Sequence, residues 1–378
     1  MTGEASILTT DRERARSLWP PTCHGRWMRE EYEPGLASVI VPAYNRAHFL
    51  VDAMDSAWAQ THRPVELLVV DDGSTDATAE VLQRWRREHT GDRGFVLRSF
   101  RQPNRGAPAA RNLGLIESRG EFIQFLDSDD VLGRTKLAAQ VAFLRERADS
   151  TPPYASWRDF SRRNDRAVDV SRAGPADAAA YTLPGWIRGG FIPPHAILWP
   201  RPVAFALGPW DERASLNNDG EYACRFLLGG HRFIWCPESW VYYRRGSGDH
   251  LSAGMSAAGA QGRFYVAERI RAALVARGRL DCQTRMAMAA QYWFIARWAA
   301  GVDAELAATC FERIRQLGSP HLARTIGGVV GIRGTIFATA VGMKLLRAWR
   351  RIRRKGPFSV HRRVQSVGEL FDLDQDGR

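Results

Sequence analysis

The sequence predicts an α/β protein with a mixed, mainly parallel sheet flanked by helices and a C-terminal α-helical appendage. Three observations predict it. Short apolar runs alternate with stretches of helical spacing through the N-terminal half, the runs end in polar turns rich in Asp and Gly, and from Gln261 onward only helical spacing continues. Residues 1 to about 36 read as an irregular lead-in, and regular structure begins at Ser38. Ser38 to Val41 is a buried strand, and Ala47 to Gln60 is helical because Phe49, Leu50, Ala53, Met54 and Ala57 recur on one face. Val65 to Val70 is the second strand, Thr75 to Glu88 a helix, Phe95 to Phe100 a strand, Pro108 to Ser118 a helix, and Glu121 to Leu126 a strand. Strands alternating with helices predict crossovers over both sheet faces, with the ligand crevice at the carboxyl ends of the strands. Leu137 to Ala148 is a further helix. Asp149 to Ala179, rich in Pro, Arg and Asp, reads as a loop or insertion. A short helix near Asp219 to Leu228 precedes two apolar runs, Phe233 to Cys236 and Trp240 to Tyr243, and three helical stretches follow over about 261–278, 283–299 and 303–317.

The 378 residues, 45% hydrophobic and 25% charged, suit one large domain or a domain with an appendage. A net charge of +12 admits nucleic acid, an anionic membrane or phosphorylated substrates as partners. Basic residues near the strand ends are balanced by carboxylates and the excess gathers in the C-terminal tail, so nucleic acid is not the expected partner. Five scattered cysteines without a C-x-x-C pair suggest neither a disulfide framework nor structural zinc, which fits a reducing cytosol. No signal-peptide stretch is visible in Met1 to Glu30, so a cytoplasmic location is expected.

Four segments follow strands and carry candidate chemistry. Pro42, Ala43, Tyr44, Asn45 and Arg46 end the first strand, and Asp71, Asp72, Gly73, Ser74, Thr75 and Asp76 end the second. An aromatic ring can stack on a nucleobase and a carboxylate can accept a base N–H or a ribose hydroxyl. The second segment also reads as a turn followed by a helix cap. Asn104 to Leu115 opens a helix with glycine and sets Arg111 on its first turns, within reach of a phosphate or base. Asp127, Ser128, Asp129 and Asp130 follow an apolar strand. Clustered carboxylates repel unless a cation or hydrogen bonds compensate, and hard oxygen ligands suit Mg²⁺ or Mn²⁺; a solvated acidic loop is the other reading.

In this order the four segments resemble the family 2 glycosyltransferases of the GT-A fold, over about residues 36 to 252. The resemblance implies that Pro42 to Asn45 and Asp71 to Ser74 line a nucleotide pocket. It also implies that Asp127-Ser128-Asp129 is the family's Asp-x-Asp motif, with Asp129 the main ligand of Mg²⁺ or Mn²⁺ and Asp127 on the ribose or metal. The family's Glu-Asp pair falls on Asn218 and Asp219, so one carboxylate is replaced while Asp219 keeps the place of the catalytic base; Glu221 is the rival base. Tyr242 to Ser252 resembles the family's Tyr-Arg segment and small-residue loop. Arg244 or Arg245 there would meet the diphosphate and His250 would be a third metal ligand. Phe191 to Leu198 is similar to the stretch that walls the sugar site, where Pro193, Pro194 and His195 would touch donor sugar or acceptor; a rigid Pro-Pro turn is the alternative.

The implied activity is inverting transfer from a nucleotide-diphosphate sugar to a hydroxyl of a saccharide or lipid-linked saccharide, in cell-surface polysaccharide or glycoconjugate synthesis. A sugar nucleotidyltransferase would be expected to carry a Gly-rich phosphate loop after the first strand, where Pro42 to Asn45 stands; a catalytically silent sugar-nucleotide binder is the other rival. The expected organisation is a lead-in over 1–36, a GT-A domain over 37–255, a helical appendage over 256–320 and a basic amphipathic tail over 321–378. Ile326 to Met343 is apolar, but Arg333 near its middle would cost about 2.5–3.5 kcal/mol on insertion, so a spanning helix is not expected. Lys344, Arg347, Arg350, Arg351, Arg353, Arg354 and Lys355, interleaved with Leu345, Leu346, Trp349 and Ile352, suit a peripheral helix on the anionic inner face of the plasma membrane, or a solvated one.

Overall fold

The computed structural model describes residues 31–89, 91, 94–147, 149–163, 167–173, 181–245, 256–318 and 362–364. Within it, β1 (Glu33–Ala43), α1 (Leu50–Trp58), β2 (Val65–Asp71), α2 (Thr78–Glu88), β3 (Phe95–Arg101), α3 (Ala107–Glu117) and β4 (Gly120–Phe125) alternate as the hydrophobic periodicity demands. The first strand starts earlier than Ser38, because Glu33 already pairs beside Gly120 of β4. β1 is buried from Leu36 to Ala43, and β2 along its whole length, as strands covered on both faces must be.

The main sheet has the order β3-β2-β1-β4-β8, with β8 (Leu198–Pro200) antiparallel to β4 and the other pairs parallel. Register does the positioning. Ala43 pairs with Asp71 and Ile40 with Phe125, so the residues that follow β1, β2 and β4 emerge along one edge. This mixed, mainly parallel sheet flanked by helices is the fold class expected from the sequence.

A second sheet, not anticipated, runs β10-β7-β6-β9-β5 through β5 (Val131–Leu132), β6 (Pro153–Arg163), β7 (Ala167–Ala173), β9 (Ile234–Arg244) and β10 (Arg362–Val364). It corrects the loop alternative in the reading of Asp149 to Ala179 as a loop or insertion, since between Pro153 and Ala173 β6 and β7 pair antiparallel from Trp157 opposite Ala173 to Arg163 opposite Ala167. It also joins the apolar runs Phe233 to Cys236 and Trp240 to Tyr243 into one strand, which pairs with β6 in parallel across a register shift near Ala155.

Between these strands lie α4 (Lys136–Arg145), α5 (Leu183–Ile187), α6 (Arg201–Leu207) and α7 (Asn218–Leu228). The appendage is α8 (Ala257–Ala276), α9 (Cys282–Ala299) and α10 (Ala304–Gln316). Each begins at a capping side chain: Ser256 accepts from the Gly259 amide at 3.1 Å, Asp281 from Thr284 at 2.8 Å and Asp303 from Leu306 at 2.9 Å. The appendage packs α8 on α7 and α9 on α5, and its buried side chains join those of both sheets in one hydrophobic cluster. Most of the lead-in, the segment from Gly246 to Met255 with His250, and the basic run 344–355 lie outside the described residues.

Candidate functional site

At the carboxyl edge of the main sheet a cleft of about 1200 Å³ opens between the strand-end loops, the 186–191 segment, the start of α7, and α8 and α9. Pro42, Ala43, Tyr44, Asn45 and Arg46 line one side, with Tyr44 43% exposed. Asn45 turns the chain with a positive φ of 52°, and its Oδ1 accepts from the Thr75 amide at 2.8 Å. The segment after β2 behaves chiefly as a turn. Asp71 Oδ1 accepts from the Ser74 amide at 2.8 Å and Ser74 Oγ from the Asn45 amide at 3.0 Å, and neither Asp71 nor Ser74 lines the cleft. Gly73 is required there, because at φ 81° an added Cβ would stand 2.9 Å from the Asn104 amide nitrogen. Asp72 does reach the cleft wall, yet its carboxylate accepts from Gln102 Nε2 at 2.7 Å and from the amides of Arg105 at 2.9 Å and Gly106 at 2.7 Å. It thereby anchors the loop that opens α3.

The Asp127 to Asp130 loop is held from several sides. Arg111 of α3 donates from Nη2 to Asp127 Oδ1 at 2.5 Å and from Nη1 to Asn218 Oδ1 at 2.8 Å, while its guanidinium lies 4.5 Å over the Trp210 ring. Arg111, expected to meet a phosphate or base, lines the cleft, and its bonds to Asp127 and Asn218 also link the Asp-x-Asp segment to the start of α7. Arg244, expected on the diphosphate, is also internal. Only 2% exposed, it donates from Nε to the Asp129 carbonyl at 2.6 Å and from Nη2 to Asp52 Oδ2 at 2.6 Å, and its amide donates to Asp130 Oδ1 at 2.8 Å. Its neighbour Arg245 lines the cleft, its Nε 3.0 Å from Asp159 Oδ2. His195, expected on donor sugar or acceptor, is 0% exposed with Nδ1 3.0 Å from Asp130 Oδ2. Burial pushes the Asp130 carboxyl above the usual range, against the pull of His195. Alternation explains Arg244, because adjacent strand residues face opposite ways and Tyr243 and Arg245 point to the cleft, whereas His195 sits in the turn Pro194–Ala196, of which Pro194 reaches the cleft and the imidazole turns inward to Asp130. Asp127, Ser128 and Asp129 remain on the cleft wall.

On α7 the two candidate bases separate. Asp219 lines the cleft with Asn218, while Glu221, 1% exposed, is clamped by Arg225 at 2.5 and 2.7 Å. Arg225 in turn donates to the carbonyls of Leu207 at 3.1 Å and Pro209 at 2.5 Å, which fixes the helix to the preceding loop. Burial raises the Asp219 pKa above the ordinary carboxylate value, and nearby Asp127 adds to the rise while the Gly220 amide and Arg111 oppose it. Reading the sequence missed the lining residues of the appendage, Arg263, Ile270, Gln291 and Phe294, and those of the 186–190 segment. No motif marks them, and a helix face turned to a cleft has the same spacing as one turned to a core.

Asp127 and Asp129 are hard oxygen donors on the cleft wall, and among the described residues no cluster of three or more His, Cys, Asp or Glu side chains could hold a metal. Two carboxylates of this kind fit a Mg²⁺- or Mn²⁺-like ion that takes its remaining ligands from phosphate and water.

The glycosyl transferase family 2 model matches residues 38–179. An uncharacterized glycosyltransferase of Nostoc sp. is 31% identical over 224 residues, which cover 57% of this chain and 67% of the relative. This chain belongs to glycosyltransferase family 2. A putative teichuronic acid biosynthesis glycosyltransferase of Bacillus subtilis is 39% identical over 113 residues, covering 30% of this chain and 43% of the relative. An uncharacterized glycosyltransferase of Rickettsia felis is 39% identical over 109 residues, 29% of this chain but only 17% of the relative's length. Among solved structures, S. aureus TarS 1-349 in complex with UDP-GlcNAc superposes with a TM-score of 0.50 at 19% identity, covering 74% of this chain and 90% of that one. The architecture of this family 2 chain is of the GT-A type.

Proposed function

We propose that this family 2 chain is an inverting glycosyltransferase that moves a sugar from a nucleotide diphosphate to a hydroxyl of a saccharide or lipid-linked acceptor in cell-surface polysaccharide synthesis. One observation carries the reading: Asp219 stands with a raised pKa on the wall of the cleft that Asp127 and Asp129 also line, while its rival Glu221 is held by Arg225. Relatives named as glycosyltransferases, including one assigned to teichuronic acid biosynthesis, support the polymer context.

In this reading Tyr44 receives the base, and Asp72 and Arg46 border the nucleotide. Asp129, aided by Asp127, would hold Mg²⁺ or Mn²⁺, which supplies charge neutralisation to the diphosphate when bound. Asp219 takes the proton of the acceptor hydroxyl as its oxygen bonds to the anomeric carbon. The bond from that carbon to the diphosphate oxygen breaks, and its electron pair leaves with the phosphate. A single displacement inverts the anomeric configuration and requires no covalent intermediate on the protein. Arg245 adds positive charge at the cleft wall, and Arg111 keeps Asp127 and Asn218 in fixed relation.

The test is a thermal-shift screen of UDP-, GDP- and dTDP-sugars with Mn²⁺, followed by measurement of sugar transfer and of product anomer by NMR. Stabilisation by one sugar nucleotide class and a product of inverted configuration are expected. Retention of configuration, or no response to any of them, would overturn the reading.

A further inference from the structure

The wall of the cleft facing Asp219 comes from the appendage, and its chemistry differs from that of the strand-end side. Gly262 of α8 has the loop before α7 against it: an added Cβ would stand 2.7 Å from Ser215 Oγ and 3.4 Å from the Leu216 amide nitrogen. The close approach places the next residue, Arg263, on the cleft wall. Its guanidinium lies 4.6 Å over the Trp298 ring and 5.7 Å from Phe294, both on α9. Nε is buried without a hydrogen-bond partner, and among the described residues Arg263 makes no ion pair. Burial disfavours its charge, and the nearby Asp219 carboxylate favours it. A guanidinium stacked on an indole offers its in-plane N–H groups sideways, the geometry for bidentate capture of an oxyanion.

The sheet order decides which substrate meets it. β4, which leads to Asp127 and Asp129, has β1 and β2 on one side and β8 on the other. Tyr44, Arg46 and Asp72 stand on the β1–β2 side, whereas α7 with Asp219 is reached from β8 through α6, and α8 packs on α7. Arg263 therefore belongs to the side of the base and not to that of the nucleotide.

We propose that Arg263, flanked by Gln291 and Phe294, is an acceptor subsite that recognises an anionic group, a phosphate or a carboxylate, on the saccharide to be extended. The assignment of this side to the acceptor rests on the glycosyl-transfer reading. The anion requirement rests on Arg263 itself. Bound anion would fill the unused donors of Arg263 and relieve their cost, and Phe294 and Trp298 would keep the guanidinium plane fixed while it binds.

The experiment titrates full-length protein by NMR with three probes: glycerol 3-phosphate, methyl glucuronide and methyl glucoside. Each is repeated with Arg263→Met and Arg263→Lys, and UDP with Mn²⁺ is titrated separately into all three proteins. One anionic probe, the phosphate or the carboxylate, is expected to bind better than methyl glucoside. Arg263→Met should weaken it about tenfold or more, with a smaller loss for Arg263→Lys and unchanged UDP affinity. Which anionic probe is favoured identifies the source of the charge. Equal binding of all three probes, or anion affinity unchanged by Arg263→Met, overturns the proposal. A loss of UDP affinity in Arg263→Met with the anionic probes unaffected also overturns it, since Arg263 would then serve the donor diphosphate. Failure of the wild-type protein to bind any sugar nucleotide would strike the glycosyl-transfer reading alone, because anion selectivity is read without donor.

Discussion

Asp219 and Glu221 stand two positions apart on α7 and meet opposite surroundings, so their substitutions should fail in different ways. Asp219→Asn keeps shape and donor affinity and should lower turnover about 10²–10⁴-fold, the usual contribution of a positioned base. The base must be ionised to act, and burial raises its pKa, so activity should fall with decreasing pH along a limb lying above the ordinary carboxylate range. A limb centred at or below that range would argue against Asp219. Glu221→Gln leaves Arg225 without its counter-charge in a buried site and should cost about 3–5 kcal/mol of stability, read from denaturant midpoints, because breaking such a pair strands one charge. Normal stability with abolished turnover would instead make Glu221 the base. Asp129→Ala makes a third case, expected to remove the dependence of sugar-nucleotide affinity on Mn²⁺. Calorimetry with Mn²⁺ and with EDTA checks it, and affinity that is metal-independent in the wild type would exclude the ligand role. The place of Asp129 on the cleft wall was legible because it follows an apolar strand. The internal duties of Arg244 and His195 were not, since a motif fixes residue type and spacing but not which way a side chain turns from its strand or turn.

At the level of elements, periodicity revealed what the main sheet buries and hid what the second sheet builds. β1 from Leu36 onward and the whole of β2 are buried and read as nearly continuous apolar runs, whereas β6 runs Tyr154, Trp157, Phe160 at intervals of three with Arg158 and Asp159 between, a pattern that is neither strand nor helix. Its hairpin partner β7 follows at once, but on its other side it pairs with β9, far along the chain, and that pairing is non-local. α3 was legible, but its closest contact was not: a Cβ at Gly114 would collide with Cγ2 of the buried Ile40 on β1. Gly114→Ala gains about 0.5–1 kcal/mol of helix propensity and incurs about 1–3 kcal/mol of overpacking, so a net loss of stability of about 1–2 kcal/mol is expected. Equilibrium urea unfolding measures it. A stabilised variant would mean that β1 and α3 separate without cost.

For the molecule as a whole, the question is how firmly the appendage is bound to the sheet domain whose cleft it completes. Among the described residues no helix is long and apolar enough to cross a membrane. The basic run from Lys344 to Lys355 is outside them, and its proposed contact with anionic lipid is read by vesicle co-sedimentation. The full chain should bind in low salt and a version ending at Ser319 should not; equal binding would exclude the tail. The docking of α8 itself centres on Asp211, a buried carboxylate ahead of α7. It accepts from Tyr265 Oη at 2.6 Å and from Arg213 Nε at 3.1 Å, with Arg269 Nε at 3.5 Å. Burial pushes its pKa up, but the hydrogen bonds from Tyr265 and Arg213 outweigh it and hold the carboxyl below the ordinary value. A depressed folded pKa means that this stabilisation is complete above the unfolded pKa of about 3.9 and is lost as pH falls through the folded value. Asp211→Asn keeps an acceptor but not the charge, and should cost about 1.5–3 kcal/mol near neutrality. Hydrogen exchange should then quicken in α8 before the sheet, and the difference from wild type should shrink as pH is lowered below about 4. A deficit that stays constant across that range would show that Asp211 acts by shape and not by charge. Unaltered exchange in α8 would place the hold of the appendage in the apolar cluster alone.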